Sequence, residues 1–440
     1  MTRLRTTILI SAAIALIAGA VATGLLVGGC GSKKQSTPTS TTGGGETILV
    51  WHNDTDIERT TVEQAVADFN ATNPGFTVKA VYAGNSDYAL QKLLTSIAAG
   101  RYPDISYQYG SSMANLVRLP KLVNLNDMIK QPGVNWNDYF PAVRLAATVG
   151  DKVIGVPALV DNLALVYNKK LFDQASVAYP TADWTWDDFR SAAQKLTNAS
   201  TKQYGWAYVN DGSEDTVWRF CALLWQAGGD LLTPDNTKAA FNSEAGVKAM
   251  TLLHDMAVVD KSVYLDTSSG NYLNLFNAGK IAMLWAGPWE LPLINADVSF
   301  GAQILPGDIT HATIAGPDNY VLLSNGAQNV ADAWKFITWF NSAENHLKWC
   351  IQTGWLPLRQ SETHLPDYKN VYLKKFPADE LFVANLNNVT KARPNIASYP
   401  EISAALGQAV QSVLLGKATP QAALSAAEQQ VNDILAGGQW

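Results

Sequence analysis

Two hydrophobic periods alternate along the chain from residue 47 onward. Short apolar runs of strand length occur, such as Thr47–His52 (TILVWH), a pattern typical of β-strands. In the segments between such runs, apolar residues recur at helical spacing, as at 90–97, where Gly100 then ends the predicted helix. Regular alternation of strands and helices predicts α/β sheets covered by helices.

The same periods predict the other elements. Further strands are expected at 76–82, 104–109, 153–156, 163–167 and 281–285. Further helices are expected at 62–70, 273–278, 330–340 and 402–435. One more helix should begin after Thr185, whose side chain suits an N-cap and precedes two acidic residues that favour the positive end of the helix dipole.

The first 46 residues have the pattern of an export signal and a tether. Arg3 and Arg5 precede an apolar, small-residue-rich stretch at 8–27, as in a secretory signal. The residues before Cys30 (Val-Gly-Gly) resemble a lipobox, although Val27 replaces the usual leucine. We predict a signal peptide at 1–29, lipidation at Cys30 and a flexible tether at 30–46.

The alternative for this segment is an uncleaved transmembrane anchor, because about 20 apolar residues can span a bilayer. Both interpretations place the rest of the chain outside the cytoplasm. With a lipid anchor, the protein would be held at the outer face of the cytoplasmic membrane.

Composition and charge exclude several classes. With 47% hydrophobic and 16% charged residues the chain can form folded cores. The net charge of −6 and the lack of a basic run in the mature chain argue against nucleic acid as a partner. No GxSxG, HExxH or P-loop pattern occurs. We therefore expect no metal and no cofactor.

The cysteines outside the signal leave two alternatives. Cys221 and Cys350 lie far apart in the sequence, without the CxxC spacing of metal or redox sites. An exported compartment permits a disulfide between them. Two buried free thiols are the other interpretation.

Four segments carry a resemblance to a known family. They are 155–172 (GVPALVDNLALVYNKKLF), 226–232 (QAGGDLL), 271–289 (NYLNLFNAGKIAMLWAGPW) and 353–359 (TGWLPLR). In this order they resemble the solute-binding proteins of ABC transporters, the family that includes the maltose-binding protein. The last segment resembles members that bind sugars or glycerol phosphodiesters.

The resemblance implies a periplasmic-binding-protein-like α/β fold of two lobes. Each lobe would be a sheet flanked by helices, with hinge segments crossing between them and the ligand in the cleft. Crossings are expected near 159–163, 311–316 and 341–345. The N-terminal lobe would then comprise 47–160 and 312–342, and the C-terminal lobe 161–311 and 343–440.

Two residues lead the predicted ligand site. Trp289 follows Gly287-Pro288 and matches the tryptophan that stacks on a sugar ring in the family; the alternative is a core residue closing a turn. Asp161 lies at the first crossing, where sugar-binding relatives carry a carboxylate that accepts hydroxyl hydrogen bonds. Its alternative is a residue that caps the hinge.

The remaining candidates are assigned by their position relative to the family's cleft. They are His52, Asn53, Asp54, Tyr109, Ser111, Trp218, Asp318, Trp355 and Arg359. The first three could instead be ordinary turn or cap residues, and Trp218 could be core packing. Arg359 offers a donor fork suited to vicinal hydroxyls or phosphate, but it could equally stabilise its loop.

The resemblance implies a receptor and not an enzyme. We expect a monomer that captures an oligosaccharide, disaccharide or sugar derivative and delivers it to ABC permease subunits. The alternative ligand is a glycerol phosphodiester, motivated by 353–359 and favouring Arg359. The alternative from a different class is an exported glycoside hydrolase that uses paired carboxylates.

Overall fold

The computed structural model describes residues 47–85, 88–268 and 270–437. The predicted signal, the lipidated Cys30 and the tether lie outside these residues. The strands, in chain order, are β1 (Thr47–His52), β2 (Thr77–Tyr82), β3 (Ile105–Gln108), β4 (Thr148–Val149), β5 (Lys152–Val153), β6 (Val156–Leu159), β7 (Ala164–Asn168), β8 (Tyr204–Val209), β9 (Val263–Asp266), β10 (Ile281–Ala286), β11 (Phe300–Gln303) and β12 (Asp318–Leu322).

The helices surround the two larger sheets that these strands form. They are α1 (Asp56–Ala71), α2 (Ala89–Ala98), α3 (Met113–Leu116), α4 (Pro141–Arg144), α5 (Lys169–Ala175), α6 (Trp186–Lys195), α7 (Glu214–Gln226), α8 (Glu244–His254), α9 (Asn271–Asn277), α10 (Ala327–Phe340), α11 (Ala343–Thr353), α12 (Leu373–Lys375), α13 (Asp379–Asn385), α14 (Tyr399–Leu414) and α15 (Pro420–Gly437).

The first sheet has the strand order β2-β1-β3-β12-β6. β1 pairs in parallel with β2 and β3, whereas β12 is antiparallel to both of its neighbours. On α1, Val62, Val66 and Phe69 are buried, because their helical spacing places them on one face. We call this sheet with its helices the first lobe.

The second sheet has the strand order β11-β7-β10-β8-β9. Its core includes the fully buried aromatic side chains of Trp206, Phe189 and Trp285. The Trp206 and Trp285 ring centroids lie 5.3 Å apart. We call this sheet with its helices the second lobe. The predicted fold of two α/β lobes is confirmed.

Local signals in the sequence act as expected at several ends of helices. The Thr185 hydroxyl accepts a hydrogen bond from the Asp188 backbone N–H, and the Asp188 carboxylate accepts one from the Thr185 N–H. This reciprocal capping box starts α6. The predicted helix at 402–435 is instead two helices, because Gly416 adopts a left-handed conformation and Pro420 starts a new helix.

Two segments cross side by side between the lobes. The chain leaves the first sheet after Leu159 and enters the second at Ala164; it returns between Gln303 and Asp318. The Leu163 N–H donates to Ile314 O at 3.3 Å, and the Thr313 hydroxyl donates to Leu163 O at 2.7 Å. These bonds hold the two crossing segments together.

The third boundary between lobes differs from the predicted position at 341–345. α10 and α11 both pack against α1 of the first lobe, and Trp349 of α11 belongs to the first-lobe core. α14 and α15 pack against α7 and α8 of the second lobe. The chain after α10 therefore stays with the first lobe through α11 and joins the second lobe by α14.

The two cysteines of the described chain are free and buried. Cys221 lies in the core of the second lobe and Cys350 in a separate cluster beside Tyr368 and Tyr372. Burial raises the pKa of the Cys350 thiol well above its usual range. Of the two alternatives, the structure has the pair of buried thiols.

Candidate functional site

A cavity of about 780 Å³ lies where the crossing segments meet both lobes. This volume is within the range of small-molecule sites, about 300–1,000 Å³. Six of the predicted ligand residues line it: Tyr109, Ser111, Asp161, Trp218, Trp289 and Asp318. Side chains that are distant in the sequence thus share one concave surface.

One side of the cavity is formed by Asp161 and Asp318, which we call the carboxyl wall. Asp161 Oδ1 accepts the Gly316 backbone N–H at 2.5 Å, a bond between the two crossing segments. Asp318 Oδ1 accepts the Gly110 N–H at 2.9 Å, and its Oδ2 accepts the Tyr107 hydroxyl at 2.5 Å. Backbone donors therefore hold both carboxyl groups in place.

Burial raises the pKa of both carboxyl groups of the carboxyl wall, because a low-dielectric environment disfavours the charged form. Burial raises the pKa of Asp161 to about 8, and the nearby charge of Asp318 adds to the effect. Burial raises the pKa of Asp318 to about 6, against the opposing hydrogen bonds from Tyr107 and Gly110. At neutral pH, Asp161 thus holds its proton more readily than Asp318.

Another part of the cavity lining is formed by Trp218 of α7 and Trp289, which follows β10; we call this pair the aromatic wall. Their ring centroids lie 5.8 Å apart at an interplanar angle of 47°. Trp289 also stacks on Trp355, at 6.0 Å and 24°. The Trp355 indole N–H donates to Glu58 of α1 at 2.6 Å, so this stack joins the second lobe to the first.

A third group of cavity residues surrounds Glu214 at the start of α7. The carboxylate pairs with Arg393 at 2.8 Å and accepts the Tyr399 hydroxyl at 2.9 Å. It also accepts the hydroxyl of Ser403. Glu214 and these three partners all line the cavity, and α14 supplies the last two.

The end of β1 and the loop after it do not contribute to the cavity lining. His52, Asn53 and Asp54 are buried, and none of them is among the residues that line the cavity. His52 Nδ1 lies 3.2 Å from Asp54 Oδ2, without the alignment of a hydrogen bond. The Asn53 amide donates to Gly84 O at 2.5 Å. A ligand contact by these residues stays a prediction.

Arg359 is also outside the cavity lining. Its guanidinium donates to Asn341 O at 2.7 Å and Val134 O at 3.1 Å. It lies 3.8 Å from the centroid of the Tyr139 ring and 3.6 Å from Asp138. These contacts fit the alternative in which Arg359 stabilises its loop.

Comparison with known proteins identifies the family. Residues 54–346 match the model of the bacterial extracellular solute-binding proteins. The chain belongs to this family. This confirms the resemblance inferred from the four sequence segments.

Several solute-binding proteins are similar over most of their length. The chain is 24% identical to the sn-glycerol-3-phosphate-binding periplasmic protein of Escherichia coli (strain K12), over 88% of this chain and 92% of the relative. It is 28% identical to the cyclic alpha-maltosyl-1,6-maltose binding protein of Arthrobacter globiformis, with a TM-score of 0.80 over 90% of this chain and 100% of that one. An ABC transporter solute-binding protein of Thermotoga lettingae, bound with alpha-D-tagatose, is 27% identical, with a TM-score of 0.74 over 89% and 100%.

These relatives are binding proteins and not enzymes, and their names include sugar and glycerophosphate ligands. In the described part of this solute-binding protein, no helix has the length and apolar character needed to cross a membrane.

The Glu214 group of this solute-binding protein was not among the residues predicted from the sequence. Arg393 and Tyr399 lie in a segment without a recognisable motif, about 180 residues beyond Glu214. The available signal was local: Ser213 followed by two acidic residues marks the start of a helix, and helix starts often face ligands. Nothing in the sequence indicated that α14 would pack there.

Three side chains of the types that bind metal ions form a cluster outside the cavity lining. His346, Cys350 and Glu362 are buried together. His346 Nδ1 lies 2.8 Å from Glu362 Oε2, while Glu362 Oε1 accepts the backbone N–H groups of Leu358 and Arg359. These hydrogen bonds explain the cluster as a structural feature that stabilises the loop at 358–362.

Proposed function

We propose that this protein captures an oligosaccharide, disaccharide or sugar derivative in its cavity and delivers it to an ABC permease. The observation that carries the proposal is the pairing of the carboxyl wall with the aromatic wall. A pyranose presents apolar C–H faces that pack on indole rings, and hydroxyl groups that donate to carboxylates. The cavity lining offers both kinds of surface.

The charge of the lining supports a ligand without net negative charge. Five carboxyl groups line the cavity, those of Asp161, Asp211, Glu214, Asp215 and Asp318. Arg393 is the one cation among the described lining residues, and Glu214 already pairs with it. A phosphate would meet repulsion from the ionised carboxylates, whereas a neutral sugar would not.

A glycerol phosphodiester is the second candidate ligand. Arg393 lies in the cavity lining, and a guanidinium suits a phosphate oxygen pair. The similarity to the sn-glycerol-3-phosphate-binding relative, whose named ligand is a monoester, favours a glycerol phosphate more generally. Arg359, on which the sequence hypothesis rested, has its donors directed at backbone carbonyls.

Ligand binding should favour a closed arrangement of the lobes. Tyr109 and Ser111 belong to the first lobe and Trp218 and Trp289 to the second, so one ligand can contact both. Only contacts made better in the closed state shift the population. Small-angle scattering should show a smaller radius of gyration with ligand; identical profiles would contradict closure.

We also propose that the chain is a monomer, held through lipidated Cys30 at the outer face of the cytoplasmic membrane. The lipobox-like residues before Cys30 support the lipid anchor. Mass spectrometry of the mature N-terminus should find an acylated cysteine, and Cys30→Ala should release the protein from membranes. An N-terminus that retains the apolar stretch would indicate a transmembrane anchor.

Thermal unfolding of residues 47–440 against a ligand panel tests the ligand class. The panel holds mono- and disaccharides, malto- and xylo-oligosaccharides, trehalose and glycerol phosphodiesters. A ligand at a hundred times its Kd should stabilise the fold by about 2.7 kcal/mol. A shift with sugars supports the proposal, and a shift with phosphodiesters alone supports the second candidate. Hydrolysis of a bound sugar during the assay would indicate a glycosidase instead.

A further inference from the structure

The turn that carries Trp289 has no room for a side chain at Gly287. A Cβ atom there would lie 1.8 Å from Cζ3 of the Trp289 ring, because the ring lies directly over this glycine. The backbone of Gly287 is extended, with φ −101° and ψ 170°, a conformation that any residue adopts. The glycine is therefore needed to make space for the ring and not for its backbone freedom.

Glu290 closes the same turn from behind. It is 3% exposed. Its backbone N–H donates to Gly287 O at 3.1 Å, and its Oε2 accepts the Gly287 N–H at 3.0 Å. Both hydrogen bonds join Glu290 to Gly287. Trp289 therefore projects from a short loop that is closed by one backbone and one side-chain hydrogen bond.

One further side chain holds the Glu290 carboxylate, and a second contacts that side chain. The Tyr272 hydroxyl of α9 donates to Glu290 Oε1. The Arg219 guanidinium lies 3.4 Å from the Tyr272 hydroxyl and 5.7 Å from the ring centroid, and it pairs with Asp215. Arg219 directly follows Trp218 in α7, so one buried polar chain connects both tryptophans of the aromatic wall.

We propose that Gly287, Glu290 and Tyr272 form a seat that sets the position of the Trp289 ring in the cavity, with Arg219 linking this seat to Trp218. The inference rests on the proposed function, because it assigns these buried groups as positioning residues for ligand binding. None of the three is among the residues that line the cavity. They act through the tryptophan.

The physical reason is the cost of an unsatisfied buried carboxylate. Burial raises the pKa of Glu290, while Arg219, the Tyr272 hydroxyl and the Gly287 N–H act in the opposite direction. Removal of one donor leaves a buried oxygen without a partner, which is unfavourable unless the turn rearranges. Rearrangement of the turn moves the ring that it carries.

Two substitutions test the seat, each with a matched control. Gly287→Ala places a methyl group where the ring lies; its control is Gly437→Ala, at a helical position with open space for a Cβ. Tyr272→Phe removes only the hydroxyl; its control is Tyr264→Phe, a half-buried tyrosine of the same lobe whose hydroxyl accepts from Asn271. Tyr272→Phe decides the question if Gly287→Ala does not fold.

The first measurement needs no ligand. Residues 47–440 are labelled with 5-fluorotryptophan, and the ¹⁹F signal of Trp289 is assigned by its loss in Trp289→Phe. The signal should shift in Gly287→Ala and shift or broaden in Tyr272→Phe, while both controls keep the wild-type position. A wild-type Trp289 signal in both test variants would overturn the inference.

The second measurement is the affinity for maltotriose, by titration calorimetry. It should fall about tenfold in both test variants, equivalent to about 1.4 kcal/mol, and stay within twofold in the controls. A shifted Trp289 signal with unchanged maltotriose affinity would also overturn the inference. If maltotriose does not bind the wild type, the proposed function fails for this sugar, while the ¹⁹F signals alone decide on the seat.

Discussion

The carboxyl wall takes its side chains from the crossing segment at 160–163 and from the start of β12, whereas the aromatic wall takes both of its rings from the second lobe. Asp161 is tied to Gly316 of the other crossing segment, and Asp318 to Tyr107 and Gly110 of the first lobe. The rings instead sit on α7 and on the turn after β10.

Because of this difference, we expect the two walls to respond differently to lobe closure. Both rings of the aromatic wall belong to one lobe, so we expect them to keep their mutual geometry in the proposed closure. The carboxyl wall lies at the crossing and on the first lobe, so its distance from the rings should change with that closure. A ligand that contacts both walls therefore couples binding to lobe position.

The largest effect is expected from Trp289→Ala. It removes the indole face that packs against the ligand, and affinity for the sugar found by the panel should fall about a hundredfold, or about 2.7 kcal/mol. Titration calorimetry gives the value. The control is Trp184→Ala, a half-buried tryptophan of the second lobe that is not among the cavity-lining residues. Equal losses in the two variants would contradict a ligand contact by Trp289.

A smaller effect is expected from Asp318→Asn. With its pKa raised only to about 6, this carboxyl group is mainly ionised at neutral pH and can accept charge-assisted hydrogen bonds. The substitution should weaken sugar binding about tenfold. The exposed Asp151→Asn serves as the control. A phosphodiester ligand would instead bind more tightly to Asp318→Asn, because a repulsive charge is removed.

The residues that a recognisable motif assigned to the ligand site line the cavity, and their contact with a ligand stays a prediction. Trp289 follows Gly287-Pro288, and Asp161 lies in the segment at 155–172; both line the cavity. The Glu214 group was missed because its members join only through the packing of α14 on α7. Amphipathic periodicity indicates that α14 buries one face, but it does not indicate what that face packs against.

The same limit explains the third boundary. The predicted crossing at 341–345 followed from the family resemblance. In the structure α11 packs on α1, with Trp349 in the first-lobe core. Arg359 had a chemistry suited to ligands, yet its donors satisfy backbone carbonyls, a role that no sequence pattern distinguishes.

The carboxyl wall should also make stability depend on pH. Burial raises the pKa of Asp161 to about 8, so the folded state keeps a proton that the unfolded chain releases near its ordinary value of 3.8. Stability is therefore lost as pH rises between these two values. The side chain in Asp161→Asn cannot ionise. Between about pH 5 and pH 8, the free energy of unfolding should therefore fall less in this variant than in the wild type, by a difference of at least about 1 kcal/mol. Urea unfolding measures this, and parallel curves for both proteins would contradict it.

The smallest effect on affinity is expected at Arg359. A comparison with Arg393 decides which of the two arginines contributes to ligand binding. Arg359→Lys loses the donor fork that serves Asn341 O and Val134 O, so it should lower the free energy of unfolding while sugar affinity stays within about twofold. Arg393→Lys alters the pairing with Glu214 inside the cavity and should weaken binding about threefold. Calorimetry on both variants checks this. A large loss of affinity in Arg359→Lys alone would restore Arg359 as a ligand residue, because the bonds from its Nε and Nη1 to backbone carbonyls explain a role in the loop and not a loss of ligand affinity.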